Sequence, residues 1–185
     1  MKRILFCLGL LLLLSACAAG PLMDAQEFTR QFNKRDTALL LDSGAFSIVD
    51  NEDEREYRIF LTPAGSTQTY LMKLYADAEL QHVKRCSVSC VFSEGESVPQ
   101  AMLEEFQHVA ACAVSAYTKL PVAEALERIA GQMPELPEGS SFWEADWFRY
   151  SWISNRIGMC FTVENIRLNP AAEAELSLRV PDGAR

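Results

Sequence analysis

Most of the chemistry open to this chain rests on four cysteines, Cys86, Cys90, Cys112 and Cys160, and two histidines, His82 and His108. Cys86-x3-Cys90 and His108-x3-Cys112 have spacings compatible with a zinc site. The stretch around Cys86 and Cys90 alternates like a strand, however, and four residues at about 3.3 Å each set their Cα atoms about 13 Å apart. That is too wide for two ligands of one tetrahedral ion, and too wide for a disulfide, whose Cα atoms lie within about 7 Å. A redox-active pair favours Cys-x-x-Cys beside a helix N-terminus, and the sequence has none. The expectation is no metal and no cofactor, with the cysteines as disulfide staples or buried thiols. Four cysteines allow three pairings. A helix folded antiparallel onto the strand before it brings Cys112, 13 residues past Pro99 and so about 20 Å along, back beside Cys86. The first-choice pairing is therefore Cys86–Cys112 with Cys90–Cys160. One tension remains: Cys160 alternates out of phase with apolar Met159, Phe161 and Val163.

Aromatic chemistry concentrates in Phe142–Trp152, which holds all three tryptophans. Phe148, Tyr150 and Trp152 alternate as one face of a strand, the pattern of a core ladder. Trp143 and Trp147 fall outside that phase and are the candidates for exposed binding aromatics. The catalytic inventory is poor. No G-x-S-x-G, H-E-x-x-H or glycine-rich phosphate loop occurs. Asp50-Asn51-Glu52-Asp53-Glu54 lacks the alternating ligands and the glycine of a calcium loop, and reads as a solvated turn. His82 sits beside Lys84 and Arg85, and His108 falls toward the polar side of its helix. No catalytic residue is identified, and a hydrolase or thiol enzyme with a scattered site stays open as an alternative.

The N-terminus is more specific. Lys2 and Arg3 precede an apolar run, Ile4 to Leu14. As a helix this run is about 16 Å long, short of the ~30 Å hydrocarbon core, so it reads as the apolar part of a signal peptide. Leu14-Ser15-Ala16-Cys17 resembles the lipobox of bacterial lipoprotein signal peptides: an aliphatic residue, two small residues and a cysteine. The resemblance implies cleavage before Cys17 and acylation of its sulfur, which would anchor the chain to the bilayer at about 0.8 kcal/mol per buried CH₂. Ala18 in place of Asp leaves out a known inner-membrane retention signal, so an outer membrane is open to it if the host has two membranes. The resulting division is a removed leader (1–16), the lipidated Cys17 with a short tether (17–23), and a single α+β domain (24–185).

Several elements must position these groups. Asp24 and Glu27 have capping-box spacing, and Phe28 and Phe32 share one face, predicting a helix from Asp24 to about Lys34. Period-two runs follow at Ala45–Val49, Arg55–Leu61, Thr67–Tyr75 and Leu80–Phe92, joined by polar turns, which means an antiparallel meander. From Pro99 to Tyr117 the period becomes 3.6, and Pro121 opens a second helix carrying Val122, Ala125, Leu126, Ile129 and Met133. Trp147–Ile153 and Met159–Ile166 form a closing hairpin around Ser154–Gly158, and Leu176, Leu178 and Val180 hint at a last edge strand. The expected fold is α+β: an antiparallel meander sheet, an N-terminal helix, two consecutive helices packed on one face, and a closing β-hairpin.

Charge excludes one large class of partner. The 185 residues carry 17 basic and 25 acidic side chains, and losing the leader with Lys2 and Arg3 leaves a formal −10. Nucleic-acid binding needs clustered Lys and Arg, so none is expected. The function expected is a membrane-anchored, extracytoplasmic, non-catalytic binding or accessory module. Its partners would be the lipid bilayer, through acylated Cys17, and an envelope protein, for example as accessory subunit of a transport or envelope-assembly complex.

Overall fold

The computed structural model describes residues 22–92, 98–133 and 139–168. Helix α1 spans Ala25–Phe32, and Asp24 caps it as its spacing predicts, with Oδ1 accepting from the Glu27 N–H at 2.7 Å. The reciprocal half of the capping box is not made; Glu27 turns its carboxylate to Arg30 and Gln31 instead. A 3-10 turn at Ser43–Ala45 leads into β1 (Ser47–Asp50), β2 (Glu54–Leu61), β3 (Tyr70–Asp77) and β4 (Val83–Val91). Helices α2 (Gln100–Thr118) and α3 (Val122–Ala130) follow, then β5 (Gly139–Ala145), β6 (Phe148–Ser154) and β7 (Gly158–Asn165).

The architecture is mixed α+β, with a seven-stranded, wholly antiparallel sheet in the order β1-β2-β3-β4-β7-β6-β5 and three helices. The two halves of the sheet join where β7 pairs with β4, after the helices have carried the chain from one half to the other. The closing unit is a three-stranded meander, not the hairpin the sequence suggests. Strand β5 was hidden because it lies at the sheet edge, where Ser140, Phe142 and Glu144 are exposed and Ser141, Trp143 and Ala145 are half-buried. Burial alternates along it, but residue type does not follow, since apolar Phe142 is exposed and Ser141 half-buried. The edge strand suggested around Leu176, Leu178 and Val180 lies outside the described residues.

One face of the sheet is buried. Tyr70, Met72 and Leu74 of β3, Cys86, Val88 and Cys90 of β4, Phe148, Tyr150 and Trp152 of β6, and Met159, Phe161 and Val163 of β7 all belong to one continuous core. Helix α2 runs antiparallel to β4 across this face. At one end Tyr117 Oη donates to the Val83 carbonyl at 2.8 Å; at the other, Tyr70 Oη, opposite Cys90 in the ladder, donates to Glu105 at 2.6 Å. Helix α2 is buried continuously from Val109 to Tyr117, where the sheet, α1 and α3 all pack against it. Gly158 lets β7 approach β4: a Cβ there would sit 2.2 Å from the Cys90 carbonyl oxygen.

Candidate functional site

The four thiols come first, because they bear on an enzymatic reading. All four are free, and the expected pairing is not formed. Cys90 lies on the buried face beside Met159, whereas Cys160 is opposite Ser89 on the other face. Successive side chains on a strand point to opposite faces, so the Cα to Cβ vectors of Cys90 and Cys160 diverge. Cys112 is a subtler correction. The antiparallel path assumed for α2 is correct, with Cys112 five residues before Tyr117, which reaches Val83. Its rotation about the helix axis differs: Cys112 Sγ lies 3.8 Å from His108 Nε2, which is in turn 2.7 Å from Asp36 Oδ2, in the segment after α1.

A thiol, an imidazole and a carboxylate thus meet, and Asp36 is a member the sequence gave no reason to single out. It lies 72 residues from His108, and no local spacing signals such a pair. The arrangement differs from a nucleophilic triad, in which the acid holds one ring nitrogen and the nucleophile faces the other. Here thiol and acid both approach Nε2. Burial, with the Asp36 charge adding to it, pushes the Cys112 thiol up to about 12, so it is protonated at neutral pH. Asp36 is held below the usual carboxylate range by the Ala38 N–H and by His108. What the cluster does in this geometry is tie α2 to the segment that follows α1. Burial also raises the thiols of Cys86, Cys90 and Cys160. Among the described residues, no three His, Cys, Asp or Glu side chains are placed to hold a metal ion.

The tryptophans divide differently from the sequence expectation. Trp143 is half-buried and stacks on Tyr150 at 5.2 Å and 11°, with Phe161 at 6.0 Å. The β5–β6 connection has two residues, so Trp143 pairs with Tyr150 and shares its core face. Odd positions before the turn therefore match even positions after it, a parity change that simple alternation misses. Trp147 is exposed, as expected, at 55%. It occupies the turn itself at φ 73, after Asp146 at φ 52, and the Arg167 guanidinium lies 3.2 Å above its ring.

The second face of the sheet is half-buried to exposed among the described residues, apart from buried Glu56 and Ser87. Its strand pairing sets three kinds of rows. The first runs Glu56, Tyr75, Arg85, Glu164, Arg149, Glu144, and is largely self-paired. Arg149 binds Glu144 at 2.9 Å, Arg85 lies over Tyr75 at 3.9 Å and reaches Glu54 at 3.2 Å. Buried Glu56 takes both Arg58 and Lys73, and the Arg58 hydrogen bonds above all hold its carboxyl at about 2. A middle row places Ser87, Thr162 and Ser151 side by side. The last row runs Phe60, Leu71, Ser89, Cys160, Ile153, with Val91 one step beyond. In it Phe60, Val91 and Ile153 are 73%, 68% and 53% exposed. At about 4.8 Å per strand this apolar band crosses roughly 19 Å of sheet.

No protein-family model, no curated protein and no solved structure matches this chain. No helix among the described residues is long and apolar enough to cross a membrane.

Proposed function

We propose that this chain is a lipoprotein, cut before Cys17, acylated there and held at the extracytoplasmic side of a membrane. Its folded part is a non-catalytic binding or accessory module for another envelope protein. The observation that carries the binding role is the second sheet face, on which Phe60, Val91 and Ile153 are exposed among the described residues. Exposed apolar side chains scattered singly are ordinary, but here Phe60, Leu71, Cys160 and Ile153 line one row interrupted by Ser89, with Val91 in the next, and such a grouping fits an interaction surface. The charged row on the same face, beyond the Ser87–Thr162–Ser151 row, is largely paired within the chain, so it sets orientation and contributes little non-specific attraction. The reading takes all three helices to shield the same face. A thiol enzyme is less well supported, because the one cysteine next to an imidazole is held protonated.

Two measurements test this. A Cys17→Ser variant should leave the membrane fraction; retention in that fraction refutes the anchor. Photo-crosslinking residues placed at Phe60 or Ile153 in the intact protein should capture one discrete envelope partner, and a charge introduced by Leu71→Glu between them should abolish the crosslink. Equal crosslinking from Ile48, which is exposed on the opposite face in register with Tyr57, refutes the binding surface.

A further inference from the structure

The tether between the anchor and the folded chain is short enough to decide which end of the sheet meets the bilayer. Five peptide steps separate Cys17 from Leu22, and a fully extended chain covers at most about 3.6 Å per residue. Leu22 therefore lies within about 18 Å of the acylated sulfur. The next residue is fixed in place: the Met23 carbonyl accepts from the Val83 N–H at 2.8 Å, at the start of β4.

Strand register carries this position across the sheet. The start of β4 is level with the ends of β3, β5 and β7 and the starts of β2 and β6. One end of the sheet thus gathers the β1–β2, β3–β4 and β5–β6 turns with the chain entry. Exposed at this end are Leu22 and Leu80, at 52% and 67%, which line one shallow recess with His82, and Trp147.

Backbone conformation points the same way. Among the described residues, four non-glycine residues have positive φ: Gln81, Lys119, Asp146 and Trp147. All four lie at this end, since Lys119 closes α2 two residues past Tyr117, whose hydroxyl reaches Val83. A two-residue hairpin turn with both central residues at positive φ favours Asn-Gly or Asp-Gly. An aromatic residue at the second position is strained, and such strain persists where it has a use. Trp147, with an apolar ring capped by the Arg167 cation, has the amphipathic make-up of side chains found at the membrane–water interface.

We propose that this end of the domain rests on the lipid surface, with Leu22, Leu80 and Trp147 entering the interface beside the acylated cysteine. The inference builds on the reading of Cys17 as the anchor. The tether holds the three side chains at high effective concentration over the lipid, so a small apolar contact suffices. The same end carries Asp24, Glu27, Asp77, Glu79, Asp146 and the acidic 50–54 turn, which outnumber Arg55, Lys84, Arg85, Lys119, Arg128 and Arg167. The contact is accordingly with neutral, zwitterionic headgroups, and anionic lipid loosens it. The strands then stand away from the membrane. Phe60 and Ile153, level with Ser89 six residues past Val83, and Val91, eight residues past it, are carried about 20 to 26 Å above that end of the sheet, within reach of an envelope protein.

The test uses the mature acylated protein reconstituted into phosphatidylcholine vesicles, with a fraction of the lipids brominated just below the headgroup. Vesicle flotation is read first: protein that stays at the bottom overturns both the anchor and this inference. For floating protein, the emission difference between wild type and Trp147→Phe isolates Trp147 from Trp143 and Trp152. Brominated lipid should quench that difference by at least twofold, and replacing half of the phosphatidylcholine with phosphatidylglycerol should weaken the quenching. Floating protein whose Trp147 emission is untouched by bromine but quenched by aqueous iodide overturns the inference and leaves the anchor standing. A Leu80→Trp variant gives an independent reading, which should show the same twofold loss.

Discussion

Iodoacetamide offered to the native protein at about pH 7.5 should leave Cys112 almost unmodified. The thiolate is the nucleophile, and burial moves this thiol from an ordinary 9.0 up to about 12. Three pKa units lower the thiolate population about a thousandfold, to roughly 3 in 10⁵ at that pH. Its complete burial, at 0% exposure, slows access further. Alkylation of the folded protein, followed by denaturation, a second isotopically distinct alkylation and peptide mass spectrometry, reads the rate at each cysteine. Cys112 should react at least a thousandfold more slowly than a free small thiol. His108→Ala should leave that rate unchanged or raise it, because it removes a covering side chain. Were His108 an activating base, the native thiol would react fast and His108→Ala would slow it. That result would refute the structural role given to the cluster and restore the thiol-enzyme alternative.

Stability measurements check other parts of the structure. Glu56 is held at about 2 in the folded state against 4.5. Its contribution, at most about 3 kcal/mol, is therefore present above about pH 4.5 and is lost as pH falls through about 2. Glu56→Gln should cost about 1–3 kcal/mol in urea unfolding at pH 7, with the two stabilities converging near pH 2; a constant difference contradicts the assignment. Gly158→Ala forces a Cβ into the Cys90 carbonyl and should lower stability by about 1–3 kcal/mol, whereas an unchanged midpoint means β7 does not approach β4 so closely. Trp143→Ala removes a ring stacked on Tyr150 and should cost about 2–3 kcal/mol. Trp147→Gly relieves a positive φ, and should leave stability within about 1 kcal/mol of wild type or raise it; a loss as large as that of Trp143→Ala shows Trp147 to be a packing residue.

Much of the fold is legible in the sequence wherever burial is one-sided. Tyr57, Ile59 and Leu61, or Tyr70, Met72 and Leu74, alternate because one sheet face meets the core and the other does not. The α2 stripe of Phe106, Val109, Ala110, Ala113 and Tyr117 repeats at the helical period for the same reason. The Asp24 cap is visible because capping is local, a matter of three residues. Legibility fails where burial is weak or where two distant segments must be oriented. Strand β5 escaped because an edge strand has little hydrophobic contrast. Trp143 was assigned to the wrong side because a two-residue turn changes the parity of the alternation. The Cys86–Cys112 pairing rested on correct distances along the helix but on an unknown rotation about it. In the same way, Asp36 is not marked by any neighbour as the partner of His108.

From residue order alone come the α+β class, the strand and helix periods and the placement of Cys160 on the face opposite Met159. Each depends on interactions among residues close in sequence or on a single solvent boundary. Tertiary structure decided how the parts meet: that β7 joins β4, that all four described thiols are free, and that Phe60, Val91 and Ile153 share the sheet face opposite the core. Those outcomes depend on the relative rotation of elements tens of residues apart, which short-range spacing does not encode.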